Sequence, residues 1–367
     1  MGARWRGGGC PIFFNSGCLV FGVPLFETAL LYLGRTNILS NMKKALVYGV
    51  SGQDGRYLSE LLLEQGYSVV GVVRRQSVAE NQTTRVGHLL SNPNFSLVYG
   101  DITDPLRVYD TIKQVKPNEI YNLAAQSQVQ NSFNMPRYTG EVAGLGVLNI
   151  LNAILSEGID CKMYQASTSE MFGNTIDEDS YQRETTPFYP VSPYGSAKLF
   201  AHNLCQNYRD SYGIEVFCGI LFNHESPYRG STFVTGKVVK DAVLVANGKK
   251  EKVVLGNLHS ARDFGHAKDY VRAMQMMLQL EKPDDFVVST GISHTIDYLV
   301  DYVFEKLNLD RSKSLEISNK YLRPNELHLL RGDSAKFRTK TGWKPEISFE
   351  SMLDEMIEYQ KSLIAIS

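Results

Sequence analysis

The chain has 367 residues, 43% of them hydrophobic, a formal net charge of −1 and five cysteines: Cys10, Cys18, Cys161, Cys205 and Cys218. Such a length buries a large core, and a charge near zero offers no basic field for nucleic acid or an anionic membrane surface. An odd, scattered cysteine set without a Cys-x-x-Cys pair argues against a disulfide framework or a zinc site. No metal is expected, and the location is expected to be cytoplasmic.

Residues 1–41 differ from the rest. Arg4 and Arg6 precede a glycine run, and the apolar stretch from Pro11 to Leu33 is broken by Asn15, Pro24 and Glu27. That is a poor membrane span and a poor signal peptide. A basic, acid-poor start leaves an organelle transit peptide open. The favoured expectation is an extension outside the fold, dispensable for activity, with the folded chain starting at Met42.

From Ala45 onward, short apolar runs alternate with amphipathic ones. Strands are expected at 45–50, 68–74, 96–101, 119–124, 162–167 and 215–223, and helices at 55–65, 104–114, 142–157 and 192–212. This alternation builds parallel βαβ units with both sheet faces covered. The fold class is therefore α/β, a Rossmann-like doubly wound parallel sheet that binds ligands at the carboxyl ends of its strands. Past residue 223, loops at 223–235, 256–265 and 318–325 carry Asn, His, Arg and Glu and are expected to touch substrate. Helices near 269–280 and 295–307 and a strand at 285–289 either pack back on the sheet or form a small lid. The expected division is a dinucleotide-binding domain at 42–222 and a smaller C-terminal substrate-binding domain at 223–367, with some segments shared.

Between the first strand and the first helix stands Gly49-Val50-Ser51-Gly52-Gln53-Asp54-Gly55. Glycines there let the backbone approach a pyrophosphate, and the helix N-terminus supplies free N–H groups. A ligand-free tight turn is the bland alternative. About twenty residues on, Arg74 and Arg75 occupy the place where an acidic residue would accept ribose hydroxyls. Arginines suit a 2′-phosphate, so NADP is expected rather than NAD; a solvated basic turn competes. By position, Asp101 and Ile102 face the adenine, while Leu123, Ala125 and Ser127 end the fourth strand beside the dinucleotide.

Tyr194 and Lys198 lie four residues apart, on one face of the helix expected at 192–212. An ammonium beside a phenol favours the phenolate and brings it toward neutral pH, so Tyr194 is a candidate base for a sugar hydroxyl. This spacing alone is common on solvated helix faces and gains weight only from the glycine turn upstream. Thr168 and Glu170 flank a strand end. Oxidation needs Thr168, Tyr194 and Lys198; the added carboxylate points to a following loss of water.

Together these residues resemble the extended short-chain dehydrogenase/reductase family. Gly-Gln-Asp-Gly at 52–55, Tyr-Gln-Ala-Ser-Thr-Ser-Glu at 164–170, Thr-Pro-Phe-Tyr-Pro at 186–190, Gly-Ile-Leu-Phe-Asn-His-Glu-Ser-Pro at 219–227 and Gly-His-Ala-Lys-Asp-Tyr at 265–270 are similar to the GDP-mannose 4,6-dehydratases within it. The resemblance runs from about Lys43 to Trp343-Lys344-Pro345. It implies that GDP-mannose becomes GDP-4-dehydro-6-deoxy-mannose and water. Tyr194 would be the base at O4, with Lys198 holding the nicotinamide ribose and Thr168 the reacting hydroxyl. NADP⁺ would take the C4 hydride, Glu170 would remove the C5 proton as the C6 hydroxyl leaves, and the hydride would return to C6. For the GDP end the resemblance implies Asn223, Lys237, Arg262, Arg323 and Glu326, and it places His224 and Arg229 near the cofactor. It also implies a homodimer or homotetramer. Gly236 and Tyr228 stand at usual arginines, Phe264 at a usual tryptophan and Gln76 at a usual serine, departures that bear on the sugar and the subunit contacts. A GDP-heptose dehydratase, a GDP-4-keto-6-deoxymannose reductase and a non-catalytic NADP-binding sensor are the competing readings.

Overall fold

The computed structural model describes residues 42–75, 85–321 and 325–366. The first strand, β1 (Lys44–Tyr48), consists of side chains that pack on both sheet faces, and Ala45, Leu46 and Val47 have no exposed surface. A glycine turn leads into α1 (Gln53–Glu64), followed by β2 (Ser68–Val73) and β3 (Phe95–Tyr99). Helix α2 (Pro105–Val115) starts where the Asp104 carboxylate accepts from the Arg107 N–H with Pro105 at the first helical position, the preferred start signal. Then come β4 (Glu119–Asn122), α3 (Gly146–Glu157), β5 (Lys162–Thr168), α4 (Pro193–Tyr212) and β6 (Val216–Leu221).

Seven parallel strands form one sheet in the order β10-β6-β5-β4-β1-β2-β3, where β10 is Asp285–Val288. The order reverses direction between β1 and β4, which opens a crevice at their carboxyl ends. The expected doubly wound architecture is borne out, and the strand expected at 285–289 does pack back on the sheet. One face is covered by α1 and α6 (Ala267–Leu278) through Leu58, Leu62, Tyr270 and Met274. The other face is covered by α2, α3 and α4 through Ile112, Ile150, Leu151 and Ala201. The run Pro136–Glu157 is long and apolar enough to cross a membrane by length and composition, yet 56% of its apolar window is buried inside this fold.

Three expectations need correction. The run at 215–223 is not one strand: β6 ends at Leu221, and β7 (Asn223–Glu225) pairs with β9 (Ala261–His266) in a second, small sheet. Buried Phe222 sits at the crossing. The segment 256–265, read as loop, holds most of β9, whose other partners are β11 (Ser293–Thr295) and β13 (Leu329–Leu330). Strands of two to six residues, most of them polar, are too short to show alternation. The helix expected from 142 starts earlier, at Pro136, and passes through a π-helical turn at Glu141–Leu145, in a stretch where Gly140, Gly144 and Gly146 weaken the α preference. Around the small sheet, α5 (Val234–Ala246), α7 (Ile296–Lys306) and α8 (Phe349–Ile366) bury a separate apolar cluster that includes Val239, Val300 and Leu353.

Candidate active site

The first cleft, about 370 Å³, lies at the carboxyl ends of β1, β2 and β4. Its floor is the glycine turn. Gly49 has φ +81, and a Cβ there would stand 2.8 Å from the Leu123 carbonyl carbon, so only glycine fits. Gly52 donates to the Gly49 carbonyl at 2.9 Å. Gly49, Gly52, Gln53, Asp54, Gly55, Arg74, Asp101, Ile102, Leu123, Ala125, Ser127 and Arg229 all line this cleft. Arg75 does not; its guanidinium lies over the Tyr99 ring at 5.5 Å. Sequence reading missed Arg85, which lines the cleft and donates to the Ser51 carbonyl at 3.2 Å. Only its charge marked it.

A second cleft, about 650 Å³, adjoins the first and shares Asp54, Leu123, Ala125, Ser127 and Arg229 with it. Thr168, Glu170, Tyr194 and Lys198 stand on its wall, together with Asn223, His224, Lys237, Arg262 and Glu326. Arg323 and Gln76 lie outside the described residues, as do residues 1–41. Lys237 reaches Asp241 at 2.7 Å, and Asp241 also accepts from Lys250 at 2.8 Å. Arg262 donates to the Leu327 carbonyl at 3.0 Å and faces Glu326 at 3.4 Å. This end of the cleft therefore offers cations for phosphates and a carboxylate for hydroxyls.

The four candidate catalytic groups come from two elements. Strand β5 ends at Thr168, whose hydroxyl accepts from the Glu170 N–H at 3.3 Å and so caps the short 3₁₀ turn that presents Glu170. Helix α4 starts at Ser192, whose hydroxyl accepts from the Gly195 N–H at 3.0 Å, and carries Tyr194 and Lys198 inward. Tyr194 and Thr168 line the same wall of the cleft, and Lys198 Nζ donates to the Ala166 carbonyl at 2.8 Å. Burial raises the Tyr194 phenol above its ordinary value; Glu170 and Asp54 add to this, while Thr168 and Arg229 oppose it. Burial also lowers the Lys198 ammonium, to about 8. The expected lowering of the phenol by the lysine is not what this geometry gives. Lys198 lies 5.9 Å from the ring centroid and is engaged by a carbonyl, so desolvation outweighs it.

Asp54 and His224 tie the two clefts together. His224 Nε2 lies 2.8 Å from Asp54 Oδ2, and its Nδ1 lies 2.8 Å from the Phe222 carbonyl. Two acceptors face two ring nitrogens, which requires the imidazolium. Burial disfavours that charge, but Asp54 outweighs it and the His224 pKa is raised. Burial likewise works against the Asp54 carboxylate, and His224 outweighs it and lowers that pKa. The ring is also stacked on Tyr270 at 4.5 Å.

His202, Cys218 and Asp285 converge with ligand atoms within 4.8 Å of one another, a convergence that sequence spacing did not show. The Asp285 carboxylate is already held by Arg209 at 2.7 Å; a guanidinium there opposes a second cation.

The sequence model of the GDP-mannose 4,6 dehydratase family matches residues 46–356. The chain belongs to that family. GDP-mannose 4,6 dehydratase 1 of Arabidopsis thaliana is 44% identical over 335 residues, 89% of this chain and 91% of the relative. Among solved structures, dTDP-glucose 4,6-dehydratase from Bacillus anthracis in complex with NAD superimposes with TM-score 0.76 at 21% identity, covering 87% of this chain and 97% of that one. RMD from Pseudomonas aeruginosa complexed with NADPH gives TM-score 0.72 at 22% identity, covering 88% and 100%. At these identities the two structures establish the shared fold.

The His224–Asp54 pair makes a pH prediction. Because the folded His224 pKa is raised, its stabilisation is full below about 6.5, the unfolded value, and fades as pH rises through the folded one. Asp54, lowered, contributes above its unfolded value and loses it in acid. Thermal melts of His224→Gln against the parent should therefore differ most near pH 5–6 and converge in alkali. A difference that grows with pH contradicts the pair.

Proposed function

We propose that the chain converts GDP-mannose to GDP-4-dehydro-6-deoxy-mannose and water, with NADP as the cofactor. The observation that carries this reading is the placing of Thr168, Glu170, Tyr194 and Lys198 on one wall of the larger cleft, beside the glycine-turn cleft. Gly49, whose missing side chain keeps the turn open, and the N-terminus of α1 fit the pyrophosphate of a dinucleotide. Arg74 and Arg85, both on the cleft wall, suit a 2′-phosphate. Arg75 has less claim to that role than the sequence alone gave it.

In this reading Tyr194 takes the proton from the C4 hydroxyl while Thr168 orients that oxygen. A bound nicotinamide would supply the hydride acceptor for C4 and the hydride donor for C6. Lys198 lies one helical turn beyond Tyr194, where it holds the ribose and favours the phenolate once both face charge. The C4 ketone acidifies the C5 hydrogen, which Glu170 removes as the C6 hydroxyl departs. Protons taken by Tyr194 and Glu170 are the two needed, one to complete water and one to restore C5. At the GDP end Lys237, Arg262 and Arg323 hold the diphosphate, Glu326 accepts from the guanosine ribose, and Asn223 completes the set. His224 and Arg229 line the junction beside the nicotinamide end.

The division into a cofactor part at 42–222 and a substrate part at 223–367 belongs to this reading, as does a cytoplasmic location. Buried free thiols at Cys161, Cys205 and Cys218 support a reducing compartment. Exposed Leu145 (48%) and Phe200 (46%) support pairing of copies as a dimer or tetramer, which the mass in solution measures.

Replacing Arg74 and Arg85 together by alanine should weaken NADP far more than NAD, since charge-assisted contacts are worth about 1.5–3 kcal/mol each. Equal weakening of the two cofactors contradicts the 2′-phosphate role.

The catalytic roles separate cleanly. Tyr194→Phe should abolish oxidation at C4. Glu170→Gln should still oxidise C4, accumulating reduced cofactor absorbance and a 4-keto hexose, while releasing water about 10²–10⁴ times more slowly. A Gln variant that dehydrates at the parent rate removes Glu170 from the elimination.

A further inference from the structure

We propose that His202 is a positioning residue for the dehydration: acting through Ser167, it fixes the strand end that presents Thr168 to Tyr194. The inference rests on the reading that Thr168 and Tyr194 start the reaction, and it concerns a group outside the reacting set.

Three successive turns of α4 meet the end of β5. A Cβ at Gly195 would stand 2.7 Å from the Glu170 carbonyl oxygen, so the first turn packs backbone to backbone. One turn on, Lys198 donates to the Ala166 carbonyl at 2.8 Å. One turn further, His202 Nδ1 lies 3.0 Å from the Ser167 hydroxyl. Tyr194, Lys198 and His202 thus fall on one helix face at i, i+4 and i+8. Ser167 immediately precedes Thr168, so a shift of one moves the other. His202 and Ser167 are 1% and 3% exposed, and no bulk water replaces a lost bond at such a depth.

The ring itself is fixed from the far side. Its Nε2 lies 3.3 Å from the Gln206 amide nitrogen and 3.6 Å from Asp285 Oδ2, and Asp285 accepts from Gln206 and Arg209, each at 2.7 Å. Phe188 meets the ring edge-on at 5.4 Å. A chain of polar contacts therefore runs from β10 through His202 to the residue beside Thr168. An aromatic filler in the same space would need none of them. The place of Thr168 on the wall it shares with Tyr194 is what this chain of contacts sets, and a misplacement of about 1 Å at a reacting group can cost 10²-fold in rate.

The test compares His202→Asn, His202→Gln, His202→Phe and Ser167→Ala in the cofactor-loaded enzyme with GDP-mannose. Asparagine puts its amide close to the place of Nδ1 and keeps the Ser167 bond; glutamine reaches instead toward Asp285. The Asn variant should keep kcat within about threefold, while the Gln, Phe and Ser167→Ala variants should lose about tenfold to a hundredfold. KM and cofactor affinity should stay within about twofold in all four. The double variant Ser167→Ala/His202→Phe should be no worse than either single one, as for residues acting through one bond. Ser167→Ala removes only one oxygen, so it decides the matter if the Phe variant does not fold. A Ser167→Ala enzyme with near-parental kcat, equal activity of the Asn and Gln variants, or losses in KM that match those in kcat would each overturn the role. A parent protein that releases no water defeats the functional reading instead, and an active parent with an indifferent Ser167→Ala defeats this inference alone.

Discussion

The seating of α4 against the carboxyl end of β5 is the constraint on which the site depends. Gly195 admits the Glu170 carbonyl into the space of an absent side chain, and Lys198 closes on the Ala166 carbonyl one turn later. That seating brings Tyr194 to Thr168 and leaves Glu170 on the same wall. It is held by the sheet, because β5 is a central strand with β4 and β6 on either side. Reacting groups on a buried strand end and a long, well-capped helix keep their geometry better than groups on loops.

Burial has an electrostatic consequence. Desolvation raises the Tyr194 phenol and lowers the Lys198 ammonium, so the pair is biased toward its neutral forms. A phenol so buried gives up its proton less readily than one in water. Beside them the His224–Asp54 pair keeps its own charges balanced.

Much of this was legible in the sequence, for identifiable reasons. Tyr194 and Lys198 share a helix face by spacing, and the glycine turn sits between two elements with strong periodicity. The six main strands were visible because they are apolar runs bounded by turns. What stayed hidden was set by long-range pairing. β7 and β9 are short and largely polar and form through pairings with distant segments, Asn223–Glu225 with Phe264–His266 among them. Asp54 and His224 are 170 positions apart. Arg85 carried no pattern beyond its charge, and the direction of the Tyr194 shift follows from depth of burial, which spacing does not encode.

The most direct measurement uses GDP-mannose carrying deuterium at C4, turned over in ordinary water and analysed by mass spectrometry and NMR. An oxidation at C4, elimination across C5 and C6 and internal return of the same hydride deliver a product lighter by one water with the deuterium at C6. Deuterium left at C4, lost to solvent, or a product that has lost no water would contradict the assignment of Thr168, Glu170, Tyr194 and Lys198 to one dehydrating site.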